Sequence, residues 1–285
     1  MGGLSAAPAR AIANGPAAAR DDLAGAFAAV RQRLWVVALL FALAAIAWWS
    51  TIDRMAGMDG GPGTDLGALG WFVGVWVVMM AAMMLPSLVP TVALYARMTR
   101  HRAPGRALLF SSGYLLVWGA AGVAAYGLFE LGKTLFGGAL AWSSGGRWMA
   151  AGVLSLAAVY ELTPLKGVCL AKCRSPLGFL LGTWRDGSLG ALQMGCRHAA
   201  WCLGCCWALM AALFALGVMS LTWMVLIAAL IALEKTVPWR RAVTWGTAAL
   251  LLALAIAVIA APGSVPGLVV PAGSQGAMHA MGAMH

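Results

Sequence analysis

Metal-ligating side chains are concentrated in residues 197–210, which hold one histidine and three of the six cysteines of the chain. They are His198, Cys202, Cys205 and Cys206, with Met194 and Met210 on either side. At about 100° per residue, a helix over this stretch places Met194, His198, Cys202 and Cys205 within an arc of about 80°. Thiolate sulfur and imidazole nitrogen suit copper(I) and zinc, and bare polar groups are costly in apolar surroundings. The stretch therefore predicts a soft-metal site, with apolar packing of the cysteines as the alternative.

Two of the remaining cysteines form a second candidate group. Cys169 and Cys173 are four residues apart, so a helix would place them one turn apart on the same face. Three roles are open to this pair: completing the site at His198, forming a second site, or cycling between dithiol and disulfide. Cys196 lies about 160° from His198 around the helix, so we do not expect it to bind the same ion.

Four methionines lie within six residues, shortly before a proline. They are Met79, Met80, Met83 and Met84, and Pro86 follows them. Pro86 removes a backbone donor and strains the preceding turn, so we expect a kink there. Methionine often fills irregular gaps in a core, whereas unwound backbone at membrane depth is tolerated mainly where it lines a buried site or cavity. Two interpretations therefore remain open: packing, or a pathway for the metal.

The elements that must position these residues are membrane helices. Hydrophobic residues make up 62% and charged residues 10% of the 285-residue chain, and its mean hydropathy is +0.86. This composition is typical of membrane proteins. We therefore expect an all-α, polytopic helical membrane protein with about seven transmembrane helices. The expected spans are 34–51, 69–95, 107–131, 147–162, the cysteine-containing span ending near 218, 221–233 and 243–261.

The distribution of charge predicts the orientation of these spans. Arg and Lys give a net charge of +10 and cluster beside the ends of the apolar runs. Placing the N-terminus and segments 97–106, 164–197 and 234–241 in the cytoplasm puts nearly every Arg and Lys inside, as the positive-inside rule requires. The C-terminus is then outside. We expect a multi-pass protein of the bacterial inner membrane, with the lipid bilayer as its partner and no role in binding nucleic acid.

The two ends of the chain differ in composition from the transmembrane domain at 34–261. Residues 1–33, rich in Ala, Gly and Arg, are expected to be a flexible cytoplasmic tail, and residues 262–285 a periplasmic tail with two Met-His pairs. This tail, with His279 and His285, could bind copper weakly, or it could be unstructured and functionless. The outer loop after the first span carries two further thioethers, Met55 and Met58.

Two carboxylates lie at the cytoplasmic ends of expected spans. Glu161 precedes Lys166 by five residues, and Glu234 is adjacent to Lys235. We expect each carboxylate to pair with its nearby lysine or to extend to the headgroups, and a proton or ion relay is the alternative.

Three motifs carry a resemblance to a known family. Residues 82–87 read Ala-Met-Met-Leu-Pro-Ser, residues 162–176 read Leu-Thr-Pro-Leu-Lys-Gly-Val-Cys-Leu-Ala-Lys-Cys-Arg-Ser-Pro, and residues 198–207 read His-Ala-Ala-Trp-Cys-Leu-Gly-Cys-Cys-Trp. In these motifs the chain resembles the bacterial family of predicted metal-binding integral membrane proteins of unknown function. The family pattern leads us to expect a glycine near the histidine, where this chain has Arg197 and Ala199. The resemblance implies a metal-related role in the membrane.

These observations predict a membrane protein that binds copper(I) and transports it or delivers it to a partner, with a metal donor or acceptor protein as that partner. Copper(I) accepts thioether ligands, whereas zinc prefers thiolate, imidazole and carboxylate, so the loop carboxylates Asp53, Asp59 and Asp65 keep zinc open. One alternative is a thiol-disulfide or assembly factor for another membrane enzyme, and another is an organic-solute transporter with structural cysteines. The sequence contains no phosphate-binding loop, nucleophile elbow or paired carboxylates, so we do not expect an enzyme.

Overall fold

The computed structural model describes residues 34–55, 66–99, 105–136, 145–217 and 220–261. Within these ranges the regular structure is helical. The helices are α1 (Leu34–Met55), α2 (Leu69–Met98), α3 (Gly105–Phe136), α4 (Arg147–Glu161), α5 (Pro164–Cys173), α6 (Pro176–Thr183), α7 (Gly187–Leu216), α8 (Leu221–Thr236) and α9 (Arg240–Ala260). The expected all-α fold is confirmed. The expected tails at 1–33 and 262–285, and the ligands Met58, His279 and His285, lie outside the described residues.

Five helices in the described part of the chain are long and apolar enough to cross a bilayer, against about seven expected from sequence. They are α1, α2, α3, α7 and α9. The pair α4 and α5 also qualifies if it forms one span bent by 69°. Helix α8 has only 16 residues, and at 1.5 Å per residue it rises about 24 Å, which is less than the hydrocarbon core of about 30 Å.

The segment at 164–197 differs most from the sequence-based expectation, because it is helical where a cytoplasmic loop was expected. Thr163 caps α5, accepting a hydrogen bond from the Lys166 amide, and Pro164 occupies the first turn. Pro176 likewise begins α6, and α7 already begins at Gly187. Proline at a helix start loses no hydrogen bond, since the first amides have no partner within the helix. Pro164 and Pro176 therefore start two short helices in the segment that was assigned to a loop by its charge.

Pro86 and Pro90 lie inside α2, which continues as one helix from Leu69 to Met98. The kink that the sequence predicts at Pro86 stays a prediction, since a continuous helix can bend at a proline. At this position the Ser87 hydroxyl donates a hydrogen bond to the Met84 carbonyl at 2.8 Å.

Helix α7 is the central element, packed against α3, α4, α5 and α8. Its closest neighbour is α3, and the approach depends on glycine. A Cβ atom added at Gly195 would overlap the Phe110 carbonyl, and one added at Gly113 would overlap the Leu192 carbonyl. Small residues let membrane helices approach closely enough for their backbones to pack. The cysteine-containing helix is thus enclosed on several sides by other helices.

Candidate metal centre

Three thiols from two helices meet in the interior of the bundle. The Sγ atoms of Cys173, Cys202 and Cys205 all lie within 4.8 Å of one another, and the Cys173 and Cys205 sulfurs are 3.8 Å apart. A metal bound to three sulfurs at about 2.3 Å, the length of a zinc–thiolate bond, would hold them about 4 Å apart. The spacing therefore suits a single ion coordinated by three thiolates. We call these three residues the thiol cluster.

Cys206 extends the thiol cluster on α7. Its Sγ lies 3.3 Å from that of Cys205, and its side chain is 1% exposed. The Cys205 thiol also donates to the Cys202 carbonyl at 3.1 Å. Since the six cysteines of the chain are all free, these thiols remain available as ligands.

A lysine and a tyrosine surround the Cys202 sulfur, and sequence reasoning missed both as site residues. The Lys235 ammonium lies 3.1 Å from Cys202 Sγ and 3.0 Å from Ser87 Oγ, and the Tyr114 hydroxyl lies 3.0 Å from the same sulfur. A cation and a hydroxyl at this distance stabilise negative charge on sulfur, the form in which cysteine binds metal. The sequence signal for Lys235 was a lysine at the end of an apolar helix, but its expected role was to pair with Glu234.

His198 is buried close to these residues but is not part of the thiol cluster. Its ring packs edge-on against Phe179, with centroids 4.8 Å apart, and lies 6.0 Å from Tyr114 and 6.2 Å from Phe110. The side chain is 4% exposed, and Nδ1 has no hydrogen-bond partner. His198 is thus not among the ligand atoms that lie within 4.8 Å of one another, and its role as a ligand stays a prediction.

Cys169 and Cys173, which the sequence left open as a pair, have different environments. Cys173 ends α5 and completes the thiol cluster, whereas Cys169 packs against Gly204 of α7, where an added Cβ would lie 2.8 Å from its sulfur. Cys169 is therefore not part of the group of mutually close ligand atoms. Cys196, which was expected to lie apart from the site, donates to the Gly113 carbonyl at 3.3 Å.

An ionic triad holds α5 in place. Lys166 Nζ bonds to a carboxylate oxygen of Glu161 and, at 2.7 Å, to one of Glu234, and all three side chains are at most 2% exposed. Arg174 donates to the carbonyls of Glu234 and Val237 at 2.9 and 2.8 Å. The expected pairing of Glu161 with Lys166 is present, whereas the expected pairing of Glu234 with Lys235 is wrong. Glu234 turns to Lys166, which leaves Lys235 in contact with Cys202.

The four methionines of α2 are all buried, with exposures between 0% and 6%. They are Met79, Met80, Met83 and Met84. Ser87 follows Met84 by three residues, Met83 by four and Met80 by seven. These three methionines therefore lie on the same face of the helix as Ser87. Since Lys235 links Ser87 to Cys202, this face of α2 is directed towards the thiol cluster.

The sequence of the chain matches the model of a known protein family. A family model described as "PpoB2: Copper chaperone" matches residues 73–258, from the first turns of α2 to the last turn of α9. The matched region contains the thiol cluster, the ionic triad and the four methionines of α2. No curated protein and no solved structure matches the chain.

Proposed function

We propose, because this chain belongs to the PpoB2 family of copper chaperones, that it holds copper(I) in the thiol cluster and delivers it to a partner protein. The observation that carries the proposal is the convergence within 4.8 Å of the buried Cys202 and Cys205 and the half-buried Cys173. Copper(I) favours soft thiolate ligands and accepts three of them. The protein would act by ligand exchange with its partner and not as an enzyme.

Copper(I) is favoured over zinc by what lies around the thiol cluster. Structural zinc sites take four ligands from thiolate, imidazole and carboxylate, whereas here the next donors along α2 are thioethers. We propose that Met80, Met83 and Met84, with Met79 one residue further, guide copper(I) towards the cluster. The ammonium of Lys235 would offset part of the negative charge of the three thiolates.

The chain would do this within the bacterial inner membrane, as a multi-pass protein. The five long apolar helices support a membrane location, and the positive-inside rule favours a cytoplasmic N-terminus and a periplasmic C-terminus. In this orientation α2 begins at the outer face, so copper(I) would reach the methionines of α2 from that side.

A thiol-disulfide factor is the second candidate function. Its support is the 3.3 Å separation of the Cys205 and Cys206 sulfurs and the 3.8 Å separation of the Cys173 and Cys205 sulfurs, which place several thiols close together. Thiol trapping in cells separates the two functions. A chaperone keeps these cysteines reduced throughout copper delivery, whereas a thiol-disulfide factor accumulates a disulfide when its substrate is withheld.

The test of the copper site uses the protein purified under reducing conditions. We expect about one copper(I) per chain, retained in the presence of equimolar zinc, and loss of this copper when Cys202 and Cys205 are both changed to Ser. Cys196→Ser is the matched control, since this thiol bonds to the Gly113 carbonyl away from the cluster. Full copper retention in the folded double variant, or displacement of copper(I) by zinc, contradicts the proposal.

A further inference from the structure

Soft metal ligands occupy every fourth position along seventeen residues of α7. They are Met194, His198, Cys202, Cys206 and Met210, and each is at most 4% exposed. Successive members of this series lie one turn apart, with a rise of about 6 Å per step and about 24 Å in all. The hydrocarbon core of a bilayer is about 30 Å thick. The series therefore extends over most of a membrane's depth.

The thiol cluster occupies the middle of this series. The cluster contains Cys202, which is a member of the series, and Cys205. The sulfur of Cys206, the next member of the series, lies 3.3 Å from that of Cys205. Neighbouring sulfurs are thus close enough for one ion to be bound by both during transfer. For an ion bound in the cluster, the next ligand along α7 towards Met210 is Cys206. The next ligand towards Met194 is His198.

His198 provides independent support for the second direction. A buried polar atom without a hydrogen bond is costly, and such atoms are uncommon in folded proteins. His198 Nδ1 is buried without a partner, in a pocket of aromatic rings. The thiol cluster already has three ligands without it. An imidazole nitrogen kept free of hydrogen bonds, one turn from Cys202, can accept a soft metal ion that leaves the cluster.

The contacts between helices show at which level of the bundle the methionines of α2 lie. At one end, Trp76 of α2 contacts Phe214 of α7, with centroids 5.5 Å apart. In the middle, Lys235 joins Ser87 of α2 to Cys202. Residues between Trp76 and Ser87 therefore lie level with residues between Phe214 and Cys202. The four methionines of α2 are thus at the depth of Cys206 and Met210, on the opposite side of the cluster from His198.

We propose that α7 carries copper(I) through the bundle, from the methionine-rich side, through the thiol cluster, to His198 and Met194. This inference rests on the proposed copper chaperone function and adds passage through the membrane to it. At each step a new Cu–ligand bond forms as an old one breaks, and copper stays in the +1 state. Between cysteines, the proton of the accepting thiol passes to the sulfur that copper leaves. When copper(I) passes from a thioether to a cysteine, the accepting thiol releases its proton to water. When copper(I) passes from a thiolate to the neutral imidazole, that thiolate takes a proton back from water.

The test measures copper binding and copper passage separately, using the full-length protein in lipid vesicles that enclose a copper(I)-chelating dye. Copper(I) is supplied outside, held by a weaker chelator. We compare His198→Leu, which removes the ligand, with His198→Met, which replaces it by another soft ligand. Met149→Leu is the control for a methionine change outside the series, because Met149 is 51% exposed on α4.

We expect the parent protein and the Met149→Leu variant to pass copper(I) to the dye. His198→Leu should slow this passage about tenfold or more, because one good ligand is lost. His198→Met should restore most of the rate. All four proteins should bind the same amount of copper at equilibrium. Unchanged passage in His198→Leu, or an equal loss in His198→Met, overturns the relay. A parent that binds copper but passes none also overturns it while leaving the chaperone intact, and a parent that binds no copper overturns both.

Discussion

Cys202 is the thiol whose surroundings are most strongly adapted to carry charge. Its sulfur is 3.0 Å from the Tyr114 hydroxyl and 3.1 Å from the Lys235 ammonium, and its side chain is fully buried. In an apolar interior a thiolate needs such neighbours, since burial alone favours the neutral thiol. We infer that Cys202 is the first thiolate of the cluster to bind copper(I).

Replacing Lys235 by Gln should weaken copper(I) binding about tenfold to one-hundredfold, because a hydrogen bond to a charged group contributes about 1.5–3 kcal/mol. Competition with a copper(I) chelator of known affinity measures the change. Lys133→Gln is the control, since Lys133 is 42% exposed and pairs with Glu130 on α3. Equal affinities of the Lys235→Gln protein and the parent would show that the ammonium does not support the bound ion.

Helix α5 is the element on which completion of the site depends. It has only ten residues, and its last residue is Cys173. Isolated helices of this length are marginal, so tertiary contacts must hold it in place. The triad of Glu161, Lys166 and Glu234 supplies those contacts at its first turn, and Arg174 supplies them just past its end. The position of one ligand thus depends on an ion-paired triad at one end of a short helix and on hydrogen bonds from Arg174 at the other.

Changing Lys166 to Met should destabilise the protein by about 3–5 kcal/mol, because it leaves two buried carboxylates without their cation. It should also reduce copper binding, since α5 loses its anchor. Unfolding in detergent and copper content measure the two effects. Neutralising the whole triad, with Glu161→Gln, Lys166→Met and Glu234→Gln together, should recover most of the stability, because no uncompensated charge then remains. A triple variant as unstable as the single one would contradict this account.

The four buried methionines of α2 can be tested for a role in copper delivery. Changing Met79, Met80, Met83 and Met84 together to Leu keeps the volume of the core almost constant, so the protein should remain folded. Copper delivery should nevertheless slow, because leucine offers no ligand. Copper uptake by the thiol cluster after rapid mixing with a copper(I) complex measures this rate. The same substitution at exposed Met149 is the control, and an unchanged uptake rate in the quadruple variant would assign these methionines to packing alone.

Over the whole molecule, α7 is surrounded by other helices, whereas the outer helices present leucine and tryptophan to the surroundings. Leu116, Leu128, Leu156 and Ile256 are each at least 60% exposed. Large apolar side chains on the outside, with thiols, lysine and carboxylates inside, form the arrangement expected in lipid, where polar groups must find partners within the protein.

The orientation in the membrane can be tested with sidedness reporters. The positive-inside rule predicts that a reporter fused after Arg102 lies in the cytoplasm and one fused after Pro262 lies outside. An odd number of crossings between the two points gives this result. Reporters on the same side would mean an even number, in which case α8 or the bent pair α4 and α5 counts differently from the expected seven-span arrangement.

The sequence by itself determined the helical class, the approximate ends of most long helices and the grouping of Cys202 and Cys205 on one side of α7. Long apolar runs in lipid must satisfy their own backbone, so they form helices, and the fixed period of a helix then places Cys202 and Cys205 on one face. These features are local, and spacing along the chain is enough to predict them.

Only the tertiary structure decided which thiol on α5 joins that face, which lysine approaches it and where His198 lies. Cys169 and Cys173 share a helix face, but the position of α5 against α7 brings Cys173 to the cluster and Cys169 to Gly204. Glu234 and Lys235 are adjacent, yet successive positions on a helix point in different directions, so Glu234 meets Lys166 and Lys235 meets Cys202. Such choices depend on how separate helices pack, and no spacing within one helix encodes them.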